Sequence, residues 1–315
     1  MTAQEVGPDE SSTGVPHLAG AVAITPLGRA RALLRATRPR QWAKNVLVLA
    51  APLLGGVLER PEQLLRGFAA MGIFILASAG VYLVNDLLDV ELDRAHPTKR
   101  NRPIASGALP IPLARACATL FVLGAPALAG LLTWRLAAVV TIYLVASLLY
   151  CARLKAEPVI ELVIVASGFL LRAIAGGVAT GIPLSDWFIL TAGFGSLFVA
   201  AGKRYAELTR ADQAAVARTR PVLAGYTQSY LRFVWTLSAA AVSLTYAQWA
   251  LSHTDPTTRA WSIFSIVPFL VALLRYAVIV DRGQAGEPEE IILRDRHLLV
   301  LGAVWGLTLL AAVYR

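Results

Sequence analysis

Nine apolar segments alternate with short polar connections along most of the chain. A helix needs roughly 20 apolar residues to cross a hydrocarbon core, and it satisfies its own backbone hydrogen bonds there. The pattern therefore predicts an all-α fold, a polytopic membrane helical bundle of about nine transmembrane helices. The predicted spans are 42–58, 67–92, 111–132, 136–152, 158–180, 186–207, 231–252, 260–280 and 295–314.

Composition supports a membrane protein and excludes an ordinary soluble domain. Of the 315 residues, 57% are hydrophobic and only 16% are charged, and the mean hydropathy is +0.61. The net charge of +9 comes from basic residues that gather in the N-terminal stretch and in alternate connections. Because basic loops stay in the cytoplasm, we expect a multi-pass protein of the plasma membrane. Its N-terminus and active site should be cytoplasmic and its C-terminus outside, and no nucleic-acid partner is expected.

The N-terminal segment differs from the rest of the chain. Residues 1–27 are rich in Gly, Pro, Ser, Thr and acidic residues and lack the pattern of a signal peptide, which predicts a disordered cytoplasmic tail. A basic run follows and predicts an interfacial helix that leads into the membrane. Residues 28–315 form the predicted transmembrane catalytic domain, because the connections leave no room for a second soluble one. Cys117 and Cys151 lie in or beside apolar segments without metal-binding spacing, so we interpret them as small buried hydrophobic residues.

An acidic cluster ends the second predicted span. Asn85, Asp89 and Asp93 recur every four residues and share one helical face, with Asp86 beside them. Like charges at this spacing need neutralising cations, and oxygen ligands suit Mg²⁺, which also takes substrate phosphate oxygens. We expect Asn85, Asp89 and Asp93 to bind Mg²⁺ and Asp86, Asp89 and Asp93 to be catalytic. The alternative is a polar helix end that merely emerges into water, although acidic groups there oppose the helix dipole.

The loop after this cluster is strongly basic. It reads RAHPTKRNRPIASG and offers Lys99, Arg100 and Arg102 for binding the oxygens of a pyrophosphate group. The same residues would also serve as a cytoplasmic anchor, and the two interpretations are compatible.

The segment NDLLDVELD followed by KRNRPIASG resembles the signature of the UbiA superfamily of intramembrane prenyltransferases. The resemblance covers nearly the whole chain after about residue 30, and it implies a UbiA-like bundle. Most members carry a second Asp-rich DxxxD motif at the end of the sixth span, which holds another Mg²⁺ on a prenyl diphosphate. This chain reads AAGKRYAELTRAD there, so the motif is replaced by Lys203, Arg204, Tyr205 and Glu207. Cations in place of carboxylates favour a bare phosphate over a metal ion.

That departure, with RPRQWAKN before the first span and YCARLKAEPVIE before the fifth, resembles the decaprenyl-phosphate phosphoribosyltransferase branch of the superfamily. The branch implies Mg²⁺-dependent transfer from 5-phosphoribosyl 1-diphosphate to a polyprenyl phosphate, which gives the donor precursor for cell-wall arabinan. Lys203 and Arg204 would then bind the 5-phosphate. Further substrate-binding candidates are Lys44, Asn45, Tyr150, Arg153 and Lys155.

Two other functions stay open at this point. One is an aromatic-acceptor prenyltransferase with a prenyl diphosphate donor, which the missing second motif disfavours. The other is a polytopic transporter, whose acidic residues would be expected near the membrane midplane. Arg172, inside the fifth span, needs a partner on another helix or a lipid phosphate, whereas Gly176 and Gly177 indicate close helix packing. The sequence does not decide between a monomer and a homo-oligomer.

Overall fold

The computed structural model describes residues 25–210, 221–283, 291 and 294–314, and this part of the chain contains helices and no strands. The predicted tail, 1–27, lies almost wholly outside the described residues, and its last two residues begin helix α1. The α-helices are α1 Pro26–Ala36, α2 Ala50–Leu54, α3 Pro61–Leu88, α4 Val90–Ala95, α5 Ile111–Leu132, α6 Trp134–Ala152, α7 Ile160–Thr180, α8 Asp186–Arg210, α9 Gln228–Leu251, α10 Pro256–Asp281 and α11 Arg296–Val313. Short 3₁₀ helices at Pro39–Leu49, Val57–Glu59, Lys99–Asn101, Leu154–Ala156 and Pro221–Gly225 join them.

The predicted all-α membrane fold is confirmed, although the count of nine spans is not. Within the described ranges, six helices are long and apolar enough to cross a membrane, namely α3, α5, α6, α7, α10 and α11. Helices α8 and α9 are long as well, with 25 and 24 residues, but they carry more polar residues.

The first predicted span, 42–58, is not a continuous α-helix. The chain first forms the 3₁₀ helix Pro39–Leu49, then the five-residue α-helix α2, and then turns at Gly55 and Gly56. Gly56 adopts a positive φ of 76°, which glycine tolerates without strain. Runs of 3₁₀ helix this long are uncommon, and neighbouring helices hold this one in place.

Close packing against α7 explains how the 3₁₀ helix is held. A Cβ atom on Gly176 would overlap the backbone carbonyl oxygen of Val48, and a Cβ on Gly177 would lie 2.5 Å from the Leu184 side chain. The predicted role in helix packing is confirmed for Gly176, whereas Gly177 packs against the segment that follows its own helix.

The helices form one closed bundle whose two ends differ. Helix α3 packs on α5, α6 and α7, α8 packs on α7, α9 and α10, and α11 packs on α10 and reaches α2. At one end the Tyr314 hydroxyl donates to the Leu53 carbonyl over 2.7 Å. Helix α3 has 28 residues and is therefore about 42 Å long at 1.5 Å per residue. Its C-terminal end, at the other end of the bundle, carries the acidic cluster. Arg38, just after α1, contacts this second end.

Candidate active site

The acidic cluster lies at a break between two helices. Helix α3 ends at Leu88 and α4 begins at Val90, so Asp89 is a junction residue rather than part of one continuous helix as predicted. The Asp93 amide still donates to the Asp89 carbonyl over 2.8 Å, which keeps the helical register across the junction. The side chains of Asp86 and Asp93 are each 3% exposed, whereas that of Asp89 is 22% exposed. Of the three carboxylates, Asp89 is therefore the most accessible to a ligand.

Cations from three separate parts of the chain pair with these carboxylates. Arg38 Nη2 lies 2.6 Å from Asp86 Oδ1, and Lys155 Nζ lies 2.6 Å from Asp89 Oδ1. Arg102 Nη1 bridges the cluster, 3.1 Å from Asp86 and 2.6 Å from Asp93. Charge balance is thus achieved within the protein by cations that can also face phosphate oxygens.

Sequence reasoning missed Arg38. Its backbone adopts a left-handed conformation with φ of 54°, and its guanidinium lies over the Tyr82 ring at 4.8 Å. Both features aim the side chain from the end of α1 at the acidic cluster. The signal was present in the motif RPRQWAKN, which begins at Arg38, but only the fold brings that motif against α3.

The other basic-loop candidates lie outside these ion pairs. Arg100 is exposed and Lys99 is half-buried, and the backbone amides of Thr98 and Lys99 donate to His96 Nδ1 over 3.3 Å. His96 therefore shapes the loop. Of the three predicted loop cations, the structure brings Arg102 into contact with the acidic cluster.

The segment after α6 reaches the site through Lys155. Tyr150 is half-buried near the end of α6, and Arg153 is exposed at its C-terminus. Lys155, in the 3₁₀ helix Leu154–Ala156, extends to Asp89. This segment continues directly into α7, which carries the partner of Arg204.

Arg204 forms a buried ion pair on the other side of this segment. Its Nε and Nη2 donate to the two carboxylate oxygens of Glu161, each over 2.8 Å, and its Nη1 lies 3.0 Å from Glu207. The side chains of Glu161 and Arg204 are 0% and 5% exposed. Arg204 and Glu207 thus pair with each other and with Glu161 within the bundle, and their contact with substrate stays a prediction. Lys203, the residue before Arg204 in the helix, is half-buried.

Tyr205 faces away from Glu161, towards α9 and α10. Its hydroxyl donates to Asp281 over 3.0 Å and accepts from Arg232 over 2.6 Å, and its ring stacks on Trp235 with centroids 5.6 Å apart. The residue is 1% exposed. Tyr205 therefore takes part in helix packing, and its contact with substrate stays a prediction.

Asn45 and Arg172 are partners. Arg172 Nε donates to Asn45 Oδ1 over 2.8 Å, and its other nitrogens donate to the Gly168 carbonyl and the Tyr143 hydroxyl. Both residues are buried, so the expectation of a partner for Arg172 on another segment is correct. Asn45 connects the 3₁₀ helix to α7 through this hydrogen bond, and its contact with substrate stays a prediction. Lys44, its neighbour, is half-buried.

The donor chemistry of the cluster suits a hard divalent cation. Asn85, Asp89 and Asp93 supply amide and carboxylate oxygens, and Mg²⁺ in proteins is held by one or two carboxylates with water and substrate phosphates completing its shell. Among the described residues no three His, Cys, Asp or Glu side chains form a ready metal cage.

An all-helical membrane bundle with an acidic cluster and basic side chains at one end defines an intramembrane enzyme for phosphorylated substrates. A sequence profile of the UbiA prenyltransferase family matches residues 46–294. The chain belongs to this family.

Relatives and solved structures agree with the family. The chain is 54% identical over 287 residues to "Decaprenyl-phosphate phosphoribosyltransferase" of Mycobacterium tuberculosis, covering 89% of this chain and 94% of that protein. It is 49% identical to the protein of the same name from Mycolicibacterium smegmatis, covering 90% and 92%. A UbiA homologue from Archaeoglobus fulgidus, solved with GPP and Mg²⁺, superposes with a TM-score of 0.67 at 19% identity, covering 89% of this chain and 98% of that one. The predicted resemblance is confirmed, and the solved structure shows the shared fold.

Proposed function

We propose that this enzyme transfers the 5-phosphoribosyl group from 5-phosphoribosyl 1-diphosphate to a polyprenyl phosphate and releases pyrophosphate. The observation that carries the proposal is identity of 54% over nearly the full length of both chains to a protein named for this reaction. The geometry supports it, because carboxylates and basic side chains alternate around one end of the bundle. The curated relatives lend no support to the aromatic prenyltransferase or the transporter.

Mg²⁺ is the proposed cofactor, held by Asn85, Asp89 and Asp93. When bound, the ion would withdraw charge from the diphosphate and so weaken its bond to the anomeric carbon. The solved relative bound to GPP and Mg²⁺ supports a divalent metal in the family. Arg38, Arg102 and Lys155, already at the cluster, would neutralise the remaining diphosphate oxygens.

Binding of the donor's 5-phosphate is assigned to Lys203. Arg204 beside it donates three hydrogen bonds to Glu161 and Glu207, so its role is to position the end of α8. A lysine ammonium is a point charge with three donors and suits a phosphate monoester. Arg153, exposed at the end of α6, is a second candidate for this phosphate.

The phosphate group of the acceptor lipid is the nucleophile in the proposed reaction. A lipid phosphate is anionic at neutral pH, so the reaction requires no protein general base, and catalysis rests on positioning and charge stabilisation. The polyprenyl chain would lie against the apolar outer surface of the helices. Leu120, Leu123 and Leu131 of α5 are examples of the large side chains exposed there.

The proposed active site faces the cytoplasm of a bacterial plasma membrane. Arg29, Arg31 and Arg35 are exposed on α1, at the same end as the site, and basic residues favour the cytoplasmic side. The C-terminus would then lie outside. We propose that the product supplies cell-wall arabinan synthesis.

Donor selectivity tests the proposal. Purified protein in lipid nanodiscs with decaprenyl phosphate and Mg²⁺ should transfer label from 5-phosphoribosyl 1-diphosphate into the lipid fraction. Ribosyl 1-diphosphate without the 5-phosphate should react at least about tenfold less efficiently, since one charged contact contributes about 1.5–3 kcal/mol. The Lys203→Gln variant should lose most of this preference. If the parent enzyme reacted equally well with both donors, recognition of the 5-phosphate would be contradicted.

A further inference from the structure

A strained turn lies between Lys155 and helix α7. Val159 adopts φ of 69° and ψ of −52°, and the Ile160 amide donates to the Pro158 carbonyl over 2.8 Å. These features define a γ-turn with positive φ at its centre, which is rare and strained. Strain is greater for a β-branched residue such as valine, because its Cβ substituents clash with the backbone in this region. The turn must therefore be held by its surroundings.

Tyr226 holds the turn from the α8–α9 connection. Its hydroxyl accepts from the Val159 amide over 2.6 Å and lies 3.5 Å from Glu161 Oε1. The residue is 6% exposed. Gly225 beside it packs so tightly that a Cβ atom there would lie 2.5 Å from Pro158 Cγ. Tyr226 and Gly225 therefore both contact the turn directly.

The same turn sets the position of Lys155. Only Ala156, Glu157 and Pro158 separate Lys155 from Val159, and Lys155 contacts Asp89 over 2.6 Å. On its other side, the turn leads within two residues to Glu161 and its buried pair with Arg204. One short segment thus joins the acidic cluster to the end of α8, and Tyr226 fixes the strained point within it.

We infer that Tyr226 is a positioning residue for the transfer reaction: by holding the γ-turn at Val159, it places Lys155 against Asp89 and the donor diphosphate. Backbone strain persists where the surrounding structure over-determines it, and it gathers at functional sites. Misplacement of a reacting or binding group by about 1 Å lowers rates by as much as 100-fold. The inference rests on the proposed function for its kinetic readout, but the position of the loop is measurable without it.

The test compares Tyr226→Phe with Tyr230→Phe. Tyr230 stacks on Tyr226 with centroids 5.9 Å apart and is partly exposed, so its variant is a matched control for loss of a hydroxyl. Tyr226→Phe should lower kcat/KM for the phosphoribosyl donor about tenfold, as expected for one lost hydrogen bond to a positioned group. In a Lys155→Met background the same change should have less than about a twofold effect, because the two residues act through one contact. Tyr230→Phe should be near parent in both backgrounds.

Limited trypsin digestion supplies the readout that does not depend on activity. Tyr226→Phe should increase cleavage after Arg153 or Lys155, assigned by fragment mass, while the thermal midpoint stays close to that of the parent. An unchanged digestion pattern, or equal kinetic losses with and without Lys155, would overturn the positioning role. If the parent enzyme transfers no phosphoribosyl group but the digestion changes as expected, the proposed function fails and the structural part of the inference stands.

Discussion

Arg204 and Glu161 form a two-pronged ion pair that is almost fully shielded from solvent, with both nitrogen-to-oxygen distances at 2.8 Å. It joins α8 to α7 at the place where the family resemblance leads one to expect a second acidic motif. The arginine that replaces this motif therefore binds a carboxylate of its own chain. Arginine's planar fork matches both carboxylate oxygens at once, which a lysine ammonium does not.

Removing the guanidinium should destabilise the protein. Arg204→Met leaves Glu161 buried without its cation, which costs roughly 3 kcal/mol or more, and the thermal midpoint should fall by several degrees. Arg204→Lys should recover only part of this loss. Arg100→Met, a change at an exposed arginine of the basic loop, is the control, and its thermal midpoint should stay near that of the parent. A stable Arg204→Met protein with a purely kinetic defect would contradict the structural role.

We expect metal binding to depend most on Asp89, the most accessible of the three carboxylates. Asp89→Ala should lower turnover about 100-fold or more, because charge stabilisation by a bound metal is worth several kcal/mol. The variant should also require a higher Mg²⁺ concentration than the parent for its half-maximal rate. Glu91→Gln, a change at a residue with a 78% exposed side chain on the adjoining helix α4, is the control and should leave the Mg²⁺ titration unchanged. Near-normal turnover of Asp89→Ala would contradict the assignment of Asp89 as a metal ligand.

Gly176 should tolerate no side chain. In Gly176→Ala the new methyl group would overlap the Val48 carbonyl oxygen, so the 3₁₀ helix must move, at a cost of about 3 kcal/mol. A fall in the thermal midpoint of about 5 °C or more is expected. Gly124, in α5, has open space where a Cβ would lie, and Gly124→Ala should be neutral or slightly stabilising. Equal midpoints for the two variants would contradict the close packing.

Alkaline pH should reveal the environment of Tyr226. Burial raises the pKa of Tyr226 to about 12, whereas an unfolded tyrosine ionises near 10. The folded state therefore keeps the proton more tightly, and the phenol's contribution to stability is present below about pH 10 and lost between about pH 10 and 12. The thermal midpoint of the parent should fall more steeply over this interval than that of Tyr226→Phe. Parallel curves for the two proteins would show that the tyrosine titrates normally.

The sequence predicts the helical membrane fold well because apolar segments of membrane-spanning length are a strong local signal. The first span was predicted less well, since part of it lies in the 3₁₀ helix Pro39–Leu49, which contacts Arg172 and Gly176 of α7. Those contacts come from residues more than 120 positions away, which periodicity does not show.

The acidic side chains were found from their spacing, whereas their partners were found only in part. Arg102 and Lys155 stood out because they lie in basic segments near span ends. Arg38 and Glu161 did not, since an arginine before the first span and a glutamate at a helix start are ordinary in sequence. Their roles depend on which segments the bundle brings together.

The central claim is that this chain moves a phosphoribosyl group onto a lipid phosphate. Its most direct test is the mass of the lipid after purified protein is incubated with decaprenyl phosphate, 5-phosphoribosyl 1-diphosphate and Mg²⁺. We expect a lipid heavier by one phosphoribosyl group, formed with one pyrophosphate released per lipid, and absent with Asp89→Ala. An unmodified lipid although the protein is folded, or transfer of a prenyl group to another acceptor instead, would contradict it.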